Sequence, residues 1–352
     1  MFNTISIFYR TGMNPVGPSS TVTWLDKCAQ PSNNDTRCRA IFYARTTSAV
    51  LSILGCCLVL FIIIVYKKYR YFTQRMVLYL LLPSLVVAAT SLYPYISDDP
   101  SCQVVGYFFN FGILSQRLLL MCLIIHLLLF VLLQNRPACL ETVFHVVVWI
   151  GSLGISAIPI FGSHYGPAGV WCWIKGSSTY ENELRVGCFY LWMLGVVLFE
   201  IAGFVAIILK VRSQIHGVQG QGADVEAKKQ AYKKAIYPLL IYPLVDLLLA
   251  LPVTANRIQN WLNPSEPIFW LYLCHSVVYP VWGFCNAMMY LLNRETLQQL
   301  HPSRLWNRIT NWTRTTFSGA EDSARGDVRR VNHYQQNTTG VTANPGHTED
   351  MD

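Results

Sequence analysis

The chain has 352 residues, of which 53% are hydrophobic and only 13% are charged, with a formal net charge of +8. Soluble domains carry about a quarter charged residues, so this composition excludes one large soluble core. Because the charges gather in short segments between long apolar runs, the sequence predicts an all-α protein with several membrane spans.

Residues 1–41 precede the first apolar run and are expected to form an extracellular tail. No apolar stretch within them is long enough for a secretory signal, so we expect the first span to act as its own insertion signal. Asn34-Asp35-Thr36 is a glycosylation sequon, although such short sequons also arise by chance. Cys28 and Cys38 are a candidate disulfide pair in the same tail.

Seven apolar runs follow within residues 42–293, and each is long enough to cross the bilayer core, which takes about 20 apolar residues. The expected spans are Phe42–Tyr66, Met76–Ile96, Val104–Leu133, Leu140–Gly162, Val186–Leu209, Ala235–Ala255 and Ile268–Leu292. We find no self-similar halves among them, which disfavours a transporter built from repeats.

Lysine and arginine residues are concentrated in alternate loops, which predicts that these loops face the cytoplasm. The first such loop contains Lys67, Lys68, Arg70 and Arg75, and a later one contains Lys228, Lys229, Lys233 and Lys234. The N-terminus is then extracellular and the C-terminus cytoplasmic, as expected for a receptor in the plasma membrane. Three basic residues of the N-terminal tail run against this rule: Lys27, Arg37 and Arg39.

The stretch "GVWCWIKG", residues 169–176, places Cys172 between Trp171 and Trp173 in the second outer loop. Cys102 begins the third span on the same side of the membrane. Because cysteines outside the cell meet an oxidising environment, we expect a Cys102–Cys172 disulfide that closes a loop of about 70 residues. The two tryptophans are expected to pack over the bridge near the membrane surface. The alternative is a free cysteine within an aromatic belt.

Four stretches in order resemble one family: "FHVVVWIGSL" (144–153), "VWCWI" (170–174), "KKAIYPLLIYP…LPVTANRI" (233–258) and "GFCNAMMYLLNRE" (283–295). They are similar to the fourth helix, second outer loop, sixth helix and seventh-helix ending of the cyclic-AMP-receptor-like G-protein-coupled receptors. That family is known from slime-mould chemoattractant receptors and from fungal and animal relatives. The resemblance spans roughly residues 42–300. It implies a seven-transmembrane helix bundle, a small extracellular ligand with cyclic AMP as one candidate, and a heterotrimeric G protein as partner.

Three charged residues lie near the middle of apolar spans: Arg117, Glu200 and Asp246. Charges in hydrocarbon are costly unless they are paired or hydrated, so we expect these side chains to face the interior and form one cluster. Such a cluster acts either as a switch, with Arg117 changing its acidic partner, or as a static pair that fixes helix register. Intramembrane charges also mark ion paths, which leaves a multispan transporter as the alternative function.

A ligand pocket is expected to open outward between the helices, beneath the second outer loop. Arg257 is the leading candidate ligand residue, because a guanidinium suits a phosphate or carboxylate group. The alternative is that Arg257 extends its charge to the lipid headgroups. Further candidate lining residues are Tyr93, Tyr95, Asn110, Trp173, Asn256 and His275, with Lys175 and Arg185 adding positive charge.

The four lysines Lys228, Lys229, Lys233 and Lys234 are expected to contact either a G protein or anionic lipid. Residues 294–312 alternate apolar and basic side chains, which predicts an amphipathic helix along the membrane surface. Residues 313–352 are rich in polar and charged residues and are expected to be a disordered cytoplasmic tail.

An enzyme is disfavoured because the eight histidines are scattered and no metal-binding motif is present. A retinal-based pump is disfavoured because no lysine lies at mid-depth in any span. We expect neither a cofactor, a metal nor a nucleic-acid partner.

Overall fold

The computed structural model describes residues 28, 35–94, 99–133, 139–175, 180–217, 223–263, 266–292, 296, 303, 306, 308 and 310. Among these, seven long helical stretches follow one another along the chain. Five are α1 (Thr36–Val65), α2 (Phe72–Ser91), α3 (Pro100–Leu133), α6 (Ala223–Leu262) and α7 (Phe269–Leu291).

The other two contain π-helical turns. In α4, Leu140–His145 passes through the π turn Val146–Ile150 into Gly151–Ala157 and ends in the 3-10 turn Ile158–Ile160. In α5, Glu181–Arg185 passes through the π turn Val186–Tyr190 into Leu191–Gly217. The sequence shows no signal for either π turn. These spans are apolar on most sides, so one extra residue in a turn does not interrupt the run of apolar side chains.

Two helices extend well beyond the predicted spans. The Asp35 carboxylate accepts a 2.8 Å hydrogen bond from the Arg37 backbone N–H, so α1 begins at Thr36 rather than at Phe42. Helix α6 has 40 residues and begins at Ala223, twelve positions before the expected span (235 − 223). The lysine-rich segment therefore continues the sixth helix.

Six of the described helical stretches are long and apolar enough to cross a membrane. The remaining one, α7, has 23 residues, which is long enough to span about 30 Å of hydrocarbon. Its hydropathy is lower because it contains His275, Pro280 and Asn286, and all three are buried inside the protein.

Large apolar side chains cover the outside of the bundle. Ile150, Leu198, Leu251 and Trp270 are exposed over 66%, 66%, 64% and 68% of their surface. An apolar surface of this extent is unfavourable in water and suits contact with lipid tails. The chain is therefore a multi-pass helical membrane protein.

Helix α3 occupies the centre of the bundle. It packs against α2, α4, α5 and α6, while α1 packs chiefly against α7 and α2. A short antiparallel hairpin, β1 (Tyr165–Pro167) and β2 (Cys172–Ile174), also packs against α3. We call the end of the bundle with this hairpin the hairpin end, and the end with the loop Lys67–Tyr71 the basic end.

Candidate functional site

The β1–β2 hairpin closes one end of the bundle and is attached to it covalently. Cys172 on β2 forms a disulfide with Cys102 in the first turn of α3, and the hairpin pairs Tyr165 with Ile174. The Tyr165 hydroxyl donates a 2.8 Å hydrogen bond to the Ser156 carbonyl of α4, and burial raises the pKa of this phenol. The hairpin is thus fixed to both α3 and α4.

Trp171 and Trp173 point into the bundle from the hairpin, and both are buried. The Trp173 indole N–H donates to the Asn110 side-chain oxygen at 3.0 Å, and the Asn110 amide donates to Ser156 Oγ at 3.1 Å. Rather than lying at the membrane surface, the two rings form the inner wall of the hairpin end. Asn110 supports Trp173 from below.

Gly106 permits this close approach of the hairpin to α3. A Cβ atom added at Gly106 would lie 3.3 Å from the Trp173 backbone nitrogen and 3.0 Å from the Tyr165 ring. A larger residue would therefore displace the hairpin from α3.

Arg257 of α6 reaches toward these rings. Its guanidinium carbon lies 5.0 Å from the centre of the Trp173 ring, 5.4 Å from that of Trp171 and 6.0 Å from that of Tyr190. These distances are typical of cation–π contacts. Among the described residues no carboxylate forms an ion pair with Arg257, and its Nε has no hydrogen-bond partner.

Arg185 adds a second cation beside the same tryptophan. Its guanidinium carbon lies 5.4 Å from the Trp173 ring centre, and it donates to the Ile174 carbonyl at 2.8 Å. Unlike Arg257, it forms an ion pair with Glu181, one turn earlier on the same helix. The excess positive charge at this site therefore belongs to Arg257.

Asn256 and His275 lie deeper, below Trp171. The Asn256 side-chain nitrogen is 2.7 Å from His275 Nδ1, and both residues are fully buried. The His275 ring centre lies 4.8 Å from that of Trp171. The structure thus brings five sequence-predicted ligand residues into one group around the hairpin: Asn110, Trp173, Asn256, Arg257 and His275.

Of the remaining predicted ligand residues, the structure describes Tyr93. Tyr93 lines a cavity beside Trp171, and its carbonyl accepts a 3.0 Å hydrogen bond from Arg45 Nη2. Tyr95, like Asn34 of the glycosylation sequon, lies outside the described residues. Cys38 forms a disulfide with Cys28 at the start of α1.

Arg45 is a buried cation that sequence reasoning missed. It lies on α1 near the hairpin end, and its Nη1 donates to the Val170 carbonyl of the hairpin at 2.8 Å. The signal was present, because Arg45 falls inside the predicted first span, as Arg117 falls inside the third. A basic residue near the end of a span can also extend its charge to the membrane surface, so this signal does not by itself predict burial.

The expected charged cluster lies at the centre of the bundle. Arg117 of α3 forms an ion pair with Asp246 of α6, and its guanidinium carbon lies 4.0 Å from the ring centre of Trp282 on α7. Glu200 of α5 is fully buried and lies close enough to Arg117 and Asp246 to interact electrostatically with both. The cation is paired with one acid, and the second acid lies beside the pair.

Parts of the basic end lie outside the residues that the structure describes. Lys228, Lys229, Lys233 and Lys234 belong to α6, but their side chains are not among those described. Of the expected surface helix 294–312, the described residues include Trp306, which is exposed, and Arg308, whose guanidinium lies 5.9 Å from the Tyr66 ring centre. The described residues contain no group of three His, Cys, Asp or Glu side chains that would hold a metal ion.

Comparison with known proteins places this architecture in a family. The sequence model of the slime mold cyclic AMP receptor family matches residues 32–320. The G-protein coupled receptor 1 of Arabidopsis thaliana is 25% identical over 289 residues, which cover 79% of this chain and 87% of that protein. Cyclic AMP receptor-like protein A of Dictyostelium discoideum is 25% identical over 248 residues, covering 70% of this chain and 62% of that protein. Because the family match covers most of the chain, this protein belongs to the slime mold cyclic AMP receptor family and is a receptor of the G-protein-coupled type.

Proposed function

We propose that the protein is a plasma-membrane receptor that binds a small anionic molecule at its hairpin end and activates a heterotrimeric G protein at its basic end. The observation that carries this proposal is Arg257, a guanidinium surrounded by three aromatic rings and without an acidic partner among the described residues. A guanidinium in this setting can form two parallel hydrogen bonds to a phosphate or carboxylate.

The neighbours of Arg257 favour a ligand that has both an anionic group and a flat ring. Trp171, Trp173 and Tyr190 offer aromatic faces, and Asn256 and His275 each retain a polar atom without a hydrogen-bond partner among the described residues. Aromatic faces stack on nucleobases, and amide and imidazole groups bind their polar edges. Cyclic AMP combines these features, and it is named in one of the relatives.

The membrane orientation follows from the same assignment. The hairpin end carries both disulfides, which form in oxidising surroundings, so in our proposal it faces outside the cell. The basic end then faces the cytoplasm, where the lysines of α6 contact an acidic surface of the G protein or anionic lipid.

A transporter is not favoured. The central charges Arg117 and Asp246 neutralise each other in an ion pair, and the family match is to receptors. The same family match favours a receptor over an enzyme. We therefore propose no transported substrate and no catalytic step.

The test is guanine-nucleotide exchange on a co-expressed G protein while cyclic AMP is added to cells that express the full-length receptor. Replacing Arg257→Met is expected to raise the half-maximal concentration about tenfold to a hundredfold, because it removes hydrogen bonds to a charged group. Arg39→Met is the matched control, since Arg39 is an exposed arginine near the same end of the bundle.

If cyclic AMP is inactive, a panel of other cyclic nucleotides, sugars, amino acids and lipids is tested on the same cells. The proposal would be contradicted by an activating ligand that carries no negative charge and acts equally on Arg257→Met and wild-type receptors. Equal losses of potency in Arg257→Met and Arg39→Met would contradict it as well.

A further inference from the structure

A cavity lies beside Trp171, and Arg257 is not among the residues that line it. It is narrow, and Arg45, Tyr93, Phe109, Trp171, Ser276 and Tyr279 are among the residues that line it. It is formed by α1, α2, α3 and α7 together with the hairpin. Trp171 contributes both to this cavity and to the Arg257 site, because its ring also neighbours Arg257 and His275.

Arg45 brings an uncompensated positive charge to this cavity. The residue is 5% exposed, and its two terminal nitrogens donate to the carbonyls of Val170 and Tyr93 at 2.8 and 3.0 Å. Within the described part of the chain no carboxylate is paired with it. A buried charge without a counter-charge is costly, so an arrangement that supplies a negative charge is stabilised.

Two buried hydrogen-bond donors on the cavity wall remain unused. Arg45 Nε and the Tyr279 hydroxyl both lack a hydrogen-bond partner among the described residues, and Tyr279 is also 5% exposed. They come from α1 and α7, which are neighbouring helices. Buried donors normally have partners, and two unpaired donors beside one cavity indicate a missing acceptor.

We infer that this cavity binds a small anion of halide, carboxylate or phosphate size, held by Arg45 Nε and the Tyr279 hydroxyl. The anion supplies the counter-charge of Arg45 and pairs both donors at once. Because Arg45 also holds the carbonyls of Val170 and Tyr93, the bound anion fixes α1 and α7 to the hairpin. The anion is either a free ion or the anionic group of a larger ligand.

The experiment measures thermal unfolding of the full-length receptor in lipid nanodiscs while sodium gluconate is replaced by sodium chloride at constant ionic strength. A parallel series adds inorganic phosphate. A site of this kind gives a saturable rise of the unfolding midpoint, because a ligand that binds the folded state stabilises it. Tyr279→Phe removes one hydroxyl and keeps the ring, and it is expected to weaken apparent anion affinity about tenfold.

Tyr43→Phe is the matched control, since Tyr43 lies on α1 near the same end of the bundle, is 61% exposed and does not line the Arg45 cavity. It is expected to keep the wild-type anion dependence. Arg45→Lys retains the charge but loses the planar guanidinium group. It is expected to weaken the apparent anion affinity further. The Tyr279→Phe result is sufficient if the Arg45 variant does not fold.

A cyclic AMP titration distinguishes the two sources of the anion. Competition between cyclic AMP and chloride would show that the ligand's own phosphate occupies the cavity, whereas additive stabilisation would show a separate free anion. Both outcomes support the inference when they depend on the Tyr279 hydroxyl.

The inference is overturned if chloride, phosphate and cyclic AMP all leave the unfolding midpoint without a saturable change. Equal responses in Tyr279→Phe and Tyr43→Phe overturn it as well. Nucleotide exchange is measured on the same variants. Normal nucleotide exchange without an anion effect would contradict this inference but not the proposed receptor function.

Discussion

Arg117 shows how one side chain is accommodated in the middle of a membrane protein. It is 2% exposed, its partner Asp246 is fully buried, and Trp282 covers the guanidinium. Removing one member of such a buried pair leaves the other charge buried without a partner, which lowers the free energy of unfolding by about 3–5 kcal/mol. This cost favours arrangements in which the faces of α3 and α6 that carry Arg117 and Asp246 meet.

The exchange of the paired charges is a direct test. We expect Arg117→Asp or Asp246→Arg alone to lower the unfolding midpoint and surface expression. The double variant Arg117→Asp/Asp246→Arg should recover part of that loss, since the attraction is restored in reverse. As a control, the swap Arg117→Glu/Glu200→Arg is expected to recover less, because Glu200 is not hydrogen-bonded to Arg117. Equal recovery in the two swaps would contradict the pairing.

The same pair distinguishes a switch from a static support. Asp246→Asn weakens the attraction without adding bulk. If the pair holds α6 in an inactive position, we expect this variant to raise nucleotide exchange in the absence of ligand. A fall in both exchange and stability would show that the pair has only a structural role.

At the residue scale, sequence reasoning succeeds where one local signal is enough. A charge inside an apolar run is visible at Arg117, Glu200 and Asp246. The choice of partner is not visible, because Arg117 and Asp246 are separated by 129 positions. The contact of Arg45 with Val170 spans 125 positions and was missed for the same reason.

Helices α1, α2 and α7 meet closely at Gly283, and this contact decides how α7 packs. A Cβ atom added there would lie 2.9 Å from Cys56 Sγ and Ser84 Cβ, and it would also contact Ser52 Oγ. Real Cβ atoms do not approach other atoms this closely. The absence of a side chain therefore allows α7 to lie against its neighbours.

We predict opposite effects for two glycine-to-alanine changes. Alanine favours a helix by about 1 kcal/mol over glycine, so Gly154→Ala on the exposed face of α4 should keep or raise the unfolding midpoint. The added methyl group of Gly283→Ala meets α1 and α2, and the change is expected to destabilise by about 1–3 kcal/mol through overpacking. Thermal unfolding of both purified variants checks the pair. Stabilisation by Gly283→Ala would contradict the close packing described here.

At the element scale, the length and apolarity of the runs predicted the helices but did not predict which face of each helix is buried. In a soluble protein, apolar residues mark the buried face of a helix. Here the lipid-facing side is apolar too, as Leu198 and Leu251 illustrate. The hairpin was also not predicted as strands, because β1 and β2 have only three residues each.

The orientation of the whole molecule has its own prediction. If residues 1–41 lie outside the cell, Asn34 is glycosylated, and Asn34→Gln lowers the apparent mass of the receptor from a eukaryotic host. Asn311 and Asn337 begin two further sequons in the opposite tail, and Asn337→Gln should leave the mass unchanged. An antibody to an N-terminal tag should bind intact cells. A mass change with Asn337→Gln alone would reverse the proposed orientation.

The length of helix α6 determines how far its ends move when the helix tilts. Its 40 residues span about 60 Å, twice the thickness of the hydrocarbon layer. Asp246 divides it into a short arm of about 16 Å reaching Arg257 and a long arm of about 35 Å reaching Ala223. As a lever pivoting on the Arg117–Asp246 contact, it roughly doubles any sideways movement imposed at Arg257. A shift of about 1 Å at Arg257 would thus arrive as about 2 Å at Ala223 and as about 1–1.6 Å where Lys228–Lys234 lie.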